Sequence, residues 1–200
     1  MKSKIFVACC FLIVGALCLS IAPAQEEKPK KEKFSALAYL PSGAGPMMAG
    51  AGLKVNVDLY IDSYTSDAEA KTLAGVLREG GSEALLKALE KGKSIGKIRL
   101  NGRAGFYDFK LIRSHRMEGG RRVFAVGDRP VGFLEAYYSG RSRDYEFGIL
   151  QLDLKQNSKG KEEGSGALLY AAKIKVIDGN SIQLESYGID AVRLMGVRKL

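Results

Sequence analysis

From residue 95 onward the apolar residues recur at every second position, in short runs such as IGKIRLN, RRVFAV and SIQLESY divided by glycine, asparagine or aspartate. A period of two puts successive side chains on opposite faces of an extended chain, so this part of the protein is built for half-buried strands. The runs FYDFKLIRSHRM, VGFLEAYY, YEFGILQLDL, ALLYAAKIKVI and AVRLMGV continue the rhythm. Tight turns are expected at Glu118-Gly119-Gly120-Arg121 and at Asp178-Gly179-Asn180, and KQNSKGKEEGSG reads as a longer solvated loop. The pattern predicts an antiparallel sheet or open barrel-like meander of about eight to nine strands.

One strand precedes this region: in LKVNVDLYID, Leu53, Val55, Val57, Leu59 and Ile61 alternate with polar partners. The period then changes to 3.6. Ser66 followed by Glu69 forms a capping box, Ala70, Leu73, Val76 and Leu77 make one apolar face, and Gly80 or Gly81 ends the helix in a left-handed conformation. A second helix is expected from Ser82 to Gly92, with Leu85, Leu86 and Leu89 turned inward. The fold class is therefore α+β, with one αα-hairpin inserted after the first strand.

The N-terminus reads as an export signal. Lys2 and Lys4 precede an apolar stretch from Ile5 to Ile21, and Ala22-Pro23-Ala24 supplies small residues for cleavage before Gln25. Residues 1–24 are the expected signal peptide, 25–52 a flexible charged and Gly/Pro-rich tail, and 53–200 a single α+β domain. Cys9, Cys10 and Cys18 all lie within the signal, so the mature chain would contain no disulfide and no transmembrane span. A domain of this size folds without disulfides, which fits a bacterial periplasmic or secreted protein.

The familiar starting points for chemistry are missing from the sequence. His115 is the sole histidine, too few for the usual zinc ligand sets in a mature chain without cysteine, and no G-x-S-x-G elbow or calcium loop occurs. Gly92-Lys93-Ser94 resembles the end of a nucleotide-binding loop, but Lys87 stands where its first glycine belongs. No catalytic residue, metal or cofactor is assigned. Asp128, Glu135, Asp144 and Glu146 are the carboxylates that an alternative reading, a hydrolase acting on an envelope polymer, would use. In YEFGILQLDL the buried parity switches near Gly148, and a β-bulge there is the expected cause.

Charge offers the remaining clue. The chain carries a formal +9, and residues 110–143 hold eight Lys or Arg against three acids. A hairpin closed at Gly119-Gly120 would oppose Met117 to Arg122 and show Arg113, His115 and Arg122 on one face and Arg116 and Arg121 on the other. A ribbon polar on both faces should project into solvent. These five residues are the candidate anion contacts, and the functional reading is an exported, non-enzymatic binding or structural module for an anionic envelope polymer or an acidic protein. Nucleic acid is not an expected partner of an exported chain. If the sheet closes around a cavity, a lipophilic-ligand carrier is the second alternative.

Overall fold

The computed structural model describes residues 31–40, 53–132, 145–178, 181–186 and 191–200. Among the described residues ten strands and one helical region occur in the order β1 (Glu32–Leu40), β2 (Leu53–Ile61), α1 (Asp67–Lys91), β3 (Gly96–Leu100), β4 (Tyr107–Phe109), β5 (Leu111–Met117), β6 (Gly120–Gly127), β7 (Phe147–Gln156), β8 (Glu162–Asp178), β9 (Ser181–Ser186) and β10 (Val192–Lys199). Every pairing is antiparallel, and the sheet order is β4-β3-β2-β1-β10-β8-β7-β6-β5 with β9 added to β8.

The two edges of this sheet, β4 and β5, are consecutive pieces of chain separated only by Lys110. Lys110 N–H donates to Val126 O at 2.9 Å, extending the β5–β6 ladder, and Thr65 bonds Ile112 from the other side through its backbone N–H and its Oγ1. The sheet therefore comes close to closing on itself as a barrel, in which β10 returns the chain between β1 and β8 and the other neighbours follow the order of the sequence. A barrel of about eight strands has an interior just wide enough for side chains to fill it. Here Phe34, Leu59, Ile98, Leu150, Leu152, Leu168 and Leu194 do so, and a void bordered by all of these but Leu168 measures about 10 Å³.

Residues 32–40 correct the flexible tail expected over 25–52. They form β1, which pairs with β2 from Glu32↔Ile61 to Leu40↔Leu53 and with β10 on its other side. Phe34, Ala38 and Leu40 are buried. The alternation is faint in sequence because two of the inward positions are the small, weakly strand-forming Ala36 and Ala38, while the outward Leu37 and Tyr39 are apolar. The expected signal peptide and the rest of the tail lie outside the described residues, and so does most of the strand expected at 131–138.

The helical region has two helical segments joined at a kink, as expected, but it follows the second strand and not the first. Ser66 caps it, its Oγ accepting from Glu69 N–H at 3.2 Å, and the break falls at Gly81, with φ 70° and ψ −163°. Only glycine takes that conformation without strain. Leu85 and Leu89 join Phe147, Ile149, Ala172 and Ile174 in a second core on the outside of the barrel, with Leu73 and Leu77 packed at its border.

That second core also accounts for the apparent parity switch at Gly148. Phe147 and Ile149 point outward to the helix cluster, whereas Leu150, Leu152 and Leu154 point into the barrel, so both faces of β7 are buried there. Gly148 is in regular register with Gly127 of β6. The bulge lies across the ladder, in β8, where Phe147 pairs with Ala172 but Ile149 with Leu169. Among the described residues no helix is long and apolar enough to cross a membrane.

Candidate functional site

Burial selects the first place to look, because charged side chains are rarely turned inward unless they are paired. The β5–β6 turn is made by Glu118 and Gly119, so Met117 pairs with Gly120 and His115 with Arg122. This register is shifted by two residues from the expected one, Met117 facing Gly120 instead of Arg122, and an even shift leaves the same residues together on each face. Arg113, His115, Arg122 and Phe124 face out, while Arg121 shares the inward face with Ile112 and Val123.

Arg121 therefore does not project into solvent as expected. It lies in one mouth of the barrel, where its Nε and Nη2 donate to the Glu162 carboxylate at 2.6 and 2.7 Å and Nη2 also reaches Glu32 at 3.0 Å. Lys199 bridges the same two acids at 2.6 and 2.9 Å. Tyr64, carried in by the segment between β2 and α1, donates to Glu32 at 2.5 Å and accepts from Arg121 Nη1 at 2.8 Å. The Glu32 side chain is only 8% exposed.

Desolvation is the largest single influence on Glu32 and pushes its pKa up, but hydrogen bonds from Lys199, Tyr64 and Arg121 outweigh it and hold the carboxyl below its ordinary value. Glu162 follows the same pattern, with Arg121 and Lys199 overcoming desolvation. For Tyr64, desolvation and the hydrogen bond to Glu32 both act to raise the phenol. Arg121 and Lys199 resist deprotonation because their acid partners outweigh the desolvation that opposes charge. Two cations and two anions thus neutralise each other across the mouth. Acid–base hydrolysis instead needs a carboxyl with a raised pKa beside an ionised one, and this pair has both lowered.

The other sequence candidates are scattered. Arg113 donates to Asp67 at 2.5 Å and Arg122 to Asp153 at 2.5 Å, so each has its own acid. His115 and Arg116 are exposed and, among the described residues, pair with no acid. Asp128 is 3.6 Å from Lys110. Glu146 lies just before β7, and Glu135 and Asp144 fall outside the described residues.

Unneutralised positive charge collects elsewhere, on the outer face of β3-β2-β1-β10. Register lays the outward residues in rows across these strands: Lys97, Tyr60 and Lys33; then Arg99, Asp58, Ser35 and Arg198; then Asn56, Leu37 and Met195; then Lys54, Tyr39 and Arg193. Six Lys or Arg share these positions with one acid, Asp58. Lys33 lies 3.9 Å from Asp58, and among the described residues Lys54, Lys97, Arg99, Arg193 and Arg198 have no carboxylate partner. Aromatic rings hold several of them in place: Lys33 and Lys97 flank Tyr60 at 5.2 and 5.8 Å, Lys97 and Arg99 stand over Phe106 at 4.6 and 5.9 Å, and Lys54 over Tyr39 at 6.0 Å.

A groove of about 590 Å³ runs through the middle of this face, lined among others by Asn56, Asp58, Asn101, Leu37, Met195 and Arg198. A bulge in β10 forms one side of it: Leu194 and Val197, three residues apart, pair with positions two apart on β8. Gly196 sits in that bulge at φ 58°, with open space where a Cβ would stand.

The sequence reading missed this face for a physical reason. Its cations are far apart along the chain and meet only through register, whereas the hairpin cluster is dense in sequence and three of its arginines, Arg113, Arg121 and Arg122, are each met by acids from other elements. Among the described residues no group of three or more His, Cys, Asp or Glu could hold a metal ion. The fold and face together describe an antiparallel barrel with a bent helix on its flank and a basic, ring-studded sheet surface. Comparison with family models, curated proteins and solved structures finds no match to this chain.

Proposed function

We propose that the protein is an exported, non-enzymatic binding module that holds an anionic polymer against the outer face of β3-β2-β1-β10. The observation that carries this reading is the row arrangement itself, in which five cations without a carboxylate partner among the described residues are spread over four adjacent strands. Strands lie about 4.8 Å apart, so the charges form a broad array suited to a chain of repeated anions. Cations already placed by aromatic rings lose less freedom on binding. The lowered carboxyls of the mouth speak only against acid–base hydrolysis by Glu32 and Glu162 themselves. Among the described residues, the void between Phe34, Leu59, Ile98 and Leu150 holds about 10 Å³, too small for a lipid tail, which favours a surface-binding module over a lipophilic-ligand carrier.

The test is salt-dependent retention on immobilised polygalacturonate and polyphosphate. Combined Lys54→Glu, Arg99→Glu and Arg193→Glu substitutions should reduce affinity for at least one of these polymers more than tenfold at low salt and flatten its salt dependence. Combined Arg113→Gln, Arg116→Gln and Arg122→Gln should change it little. The reverse ranking would return the anion contact to the β5–β6 hairpin, and failure of the wild-type protein to bind either polymer would reject the function.

A further inference from the structure

Resting on that reading, we infer that the central groove is a sugar subsite and that the polymer is an acidic glycan. The groove has a chemistry that a bare polyanion does not use. Asn56 of β2 faces Asn101, the residue that follows β3, through the Asn101 N–H to Asn56 O bond of 2.8 Å, and both residues are exposed. Among the described residues neither side-chain amide makes a hydrogen bond. Each offers a donor and an acceptor together, which is what neighbouring hydroxyl groups require.

Asp58 gives the stronger argument. Among the described residues it is the one acid in these rows, and it lines the groove. A phosphate chain presents only acceptors, so Asp58 would repel it. A sugar ring presents hydroxyl donors, so the same carboxylate becomes a hydrogen-bond acceptor for the ligand. Leu37, Met195 and Leu200 add an apolar wall to the groove, fitted to the C–H face of a sugar ring. Arg198 and Arg99 stand at opposite ends of the row through Ser35 and Asp58. Three strand spacings separate them, about 14 Å, which places guanidinium groups on either side of the groove for acid groups of flanking sugars.

The experiment compares polygalacturonate with polyphosphate of matched charge, using the full chain and an Asn56→Ala, Asn101→Ala double variant. Both positions are exposed, so melting should be unchanged. The double variant should lose about tenfold in affinity for polygalacturonate and keep its affinity for polyphosphate. Independently of any variant, a trigalacturonate should shift the Asn56 and Asn101 side-chain amide resonances of the wild-type protein. Equal losses on both polymers, no loss on polygalacturonate, or unmoved amide resonances would overturn the sugar subsite while leaving the basic face standing. Retention of neither polymer by wild type would overturn both.

Discussion

Replacing Arg121 with methionine would leave Glu32 and Glu162 facing each other with Lys199 as their remaining cation. Losing one partner from a largely buried ion cluster leaves the others uncompensated, and at this partly solvated mouth the expected cost is about 1–3 kcal/mol at pH 7. Acid should narrow the difference. In the wild-type protein both carboxyls lie below their ordinary value of 4.5, so their contribution is complete above that pH and is withdrawn as pH falls towards the folded values. In the variant the carboxyls lose stabilisation of their charged form and protonate at higher pH, which relieves their repulsion. Urea unfolding at pH 7 and pH 4 measures the two gaps, and an equal gap at both would show that the mouth is held by packing alone. Arg121 also marks a limit of sequence reading. Its inward face could be assigned from parity, but its acids come from β1 and β8, and the first of these strands was hidden in an apparent tail.

At the scale of elements, local signals proved readable wherever one residue type forces one conformation. The cap at Ser66, the break at Gly81 and the β6, β7 and β10 strands follow from such signals. What the sequence does not separate is one buried face from two: Phe147, Ile149 and Leu150 look like a slip in alternation because the helix supplies a second core on the outside. A test follows from the unequal burial along α1. Leu89 is buried in the outer cluster and Leu73 sits at its border. Leu89→Asp should cost several kcal/mol, a large share of a typical total of roughly 5–15, because the charge would enter the core without a partner. Leu73→Asp can turn towards water and should cost less than half as much. Thermal melts rank the two, and equal, small effects would mean that the helix is not docked on β7 and β8 in solution.

At the scale of the whole molecule, the first described strand and the last are partners, so closure of the barrel depends on the residues that looked least ordered in sequence. β1 pairs along its length with β2 and β10, contributes Phe34, Ala38 and Leu40 to the interior, and places Glu32 in the mouth. Burying Phe34 and Leu40 alone is worth about 1.5–3 kcal/mol each, before any ladder hydrogen bond is counted. Their loss, with two strand edges opened to water, is comparable to the full stability of a domain. A chain beginning at Leu53, the boundary that hydrophobic patterning indicates, should therefore be molten or aggregated. A chain beginning at Lys31 should retain sharp amide dispersion and a cooperative melt. The same comparison bears on function, because Lys33, Leu37 and Tyr39 enter the basic face only through β1. Adding residues 31–40 back as a separate peptide should restore both folding and polygalacturonate retention if β1 completes the barrel. A cooperative melt of the shorter chain without the peptide would show that the barrel closes by another route.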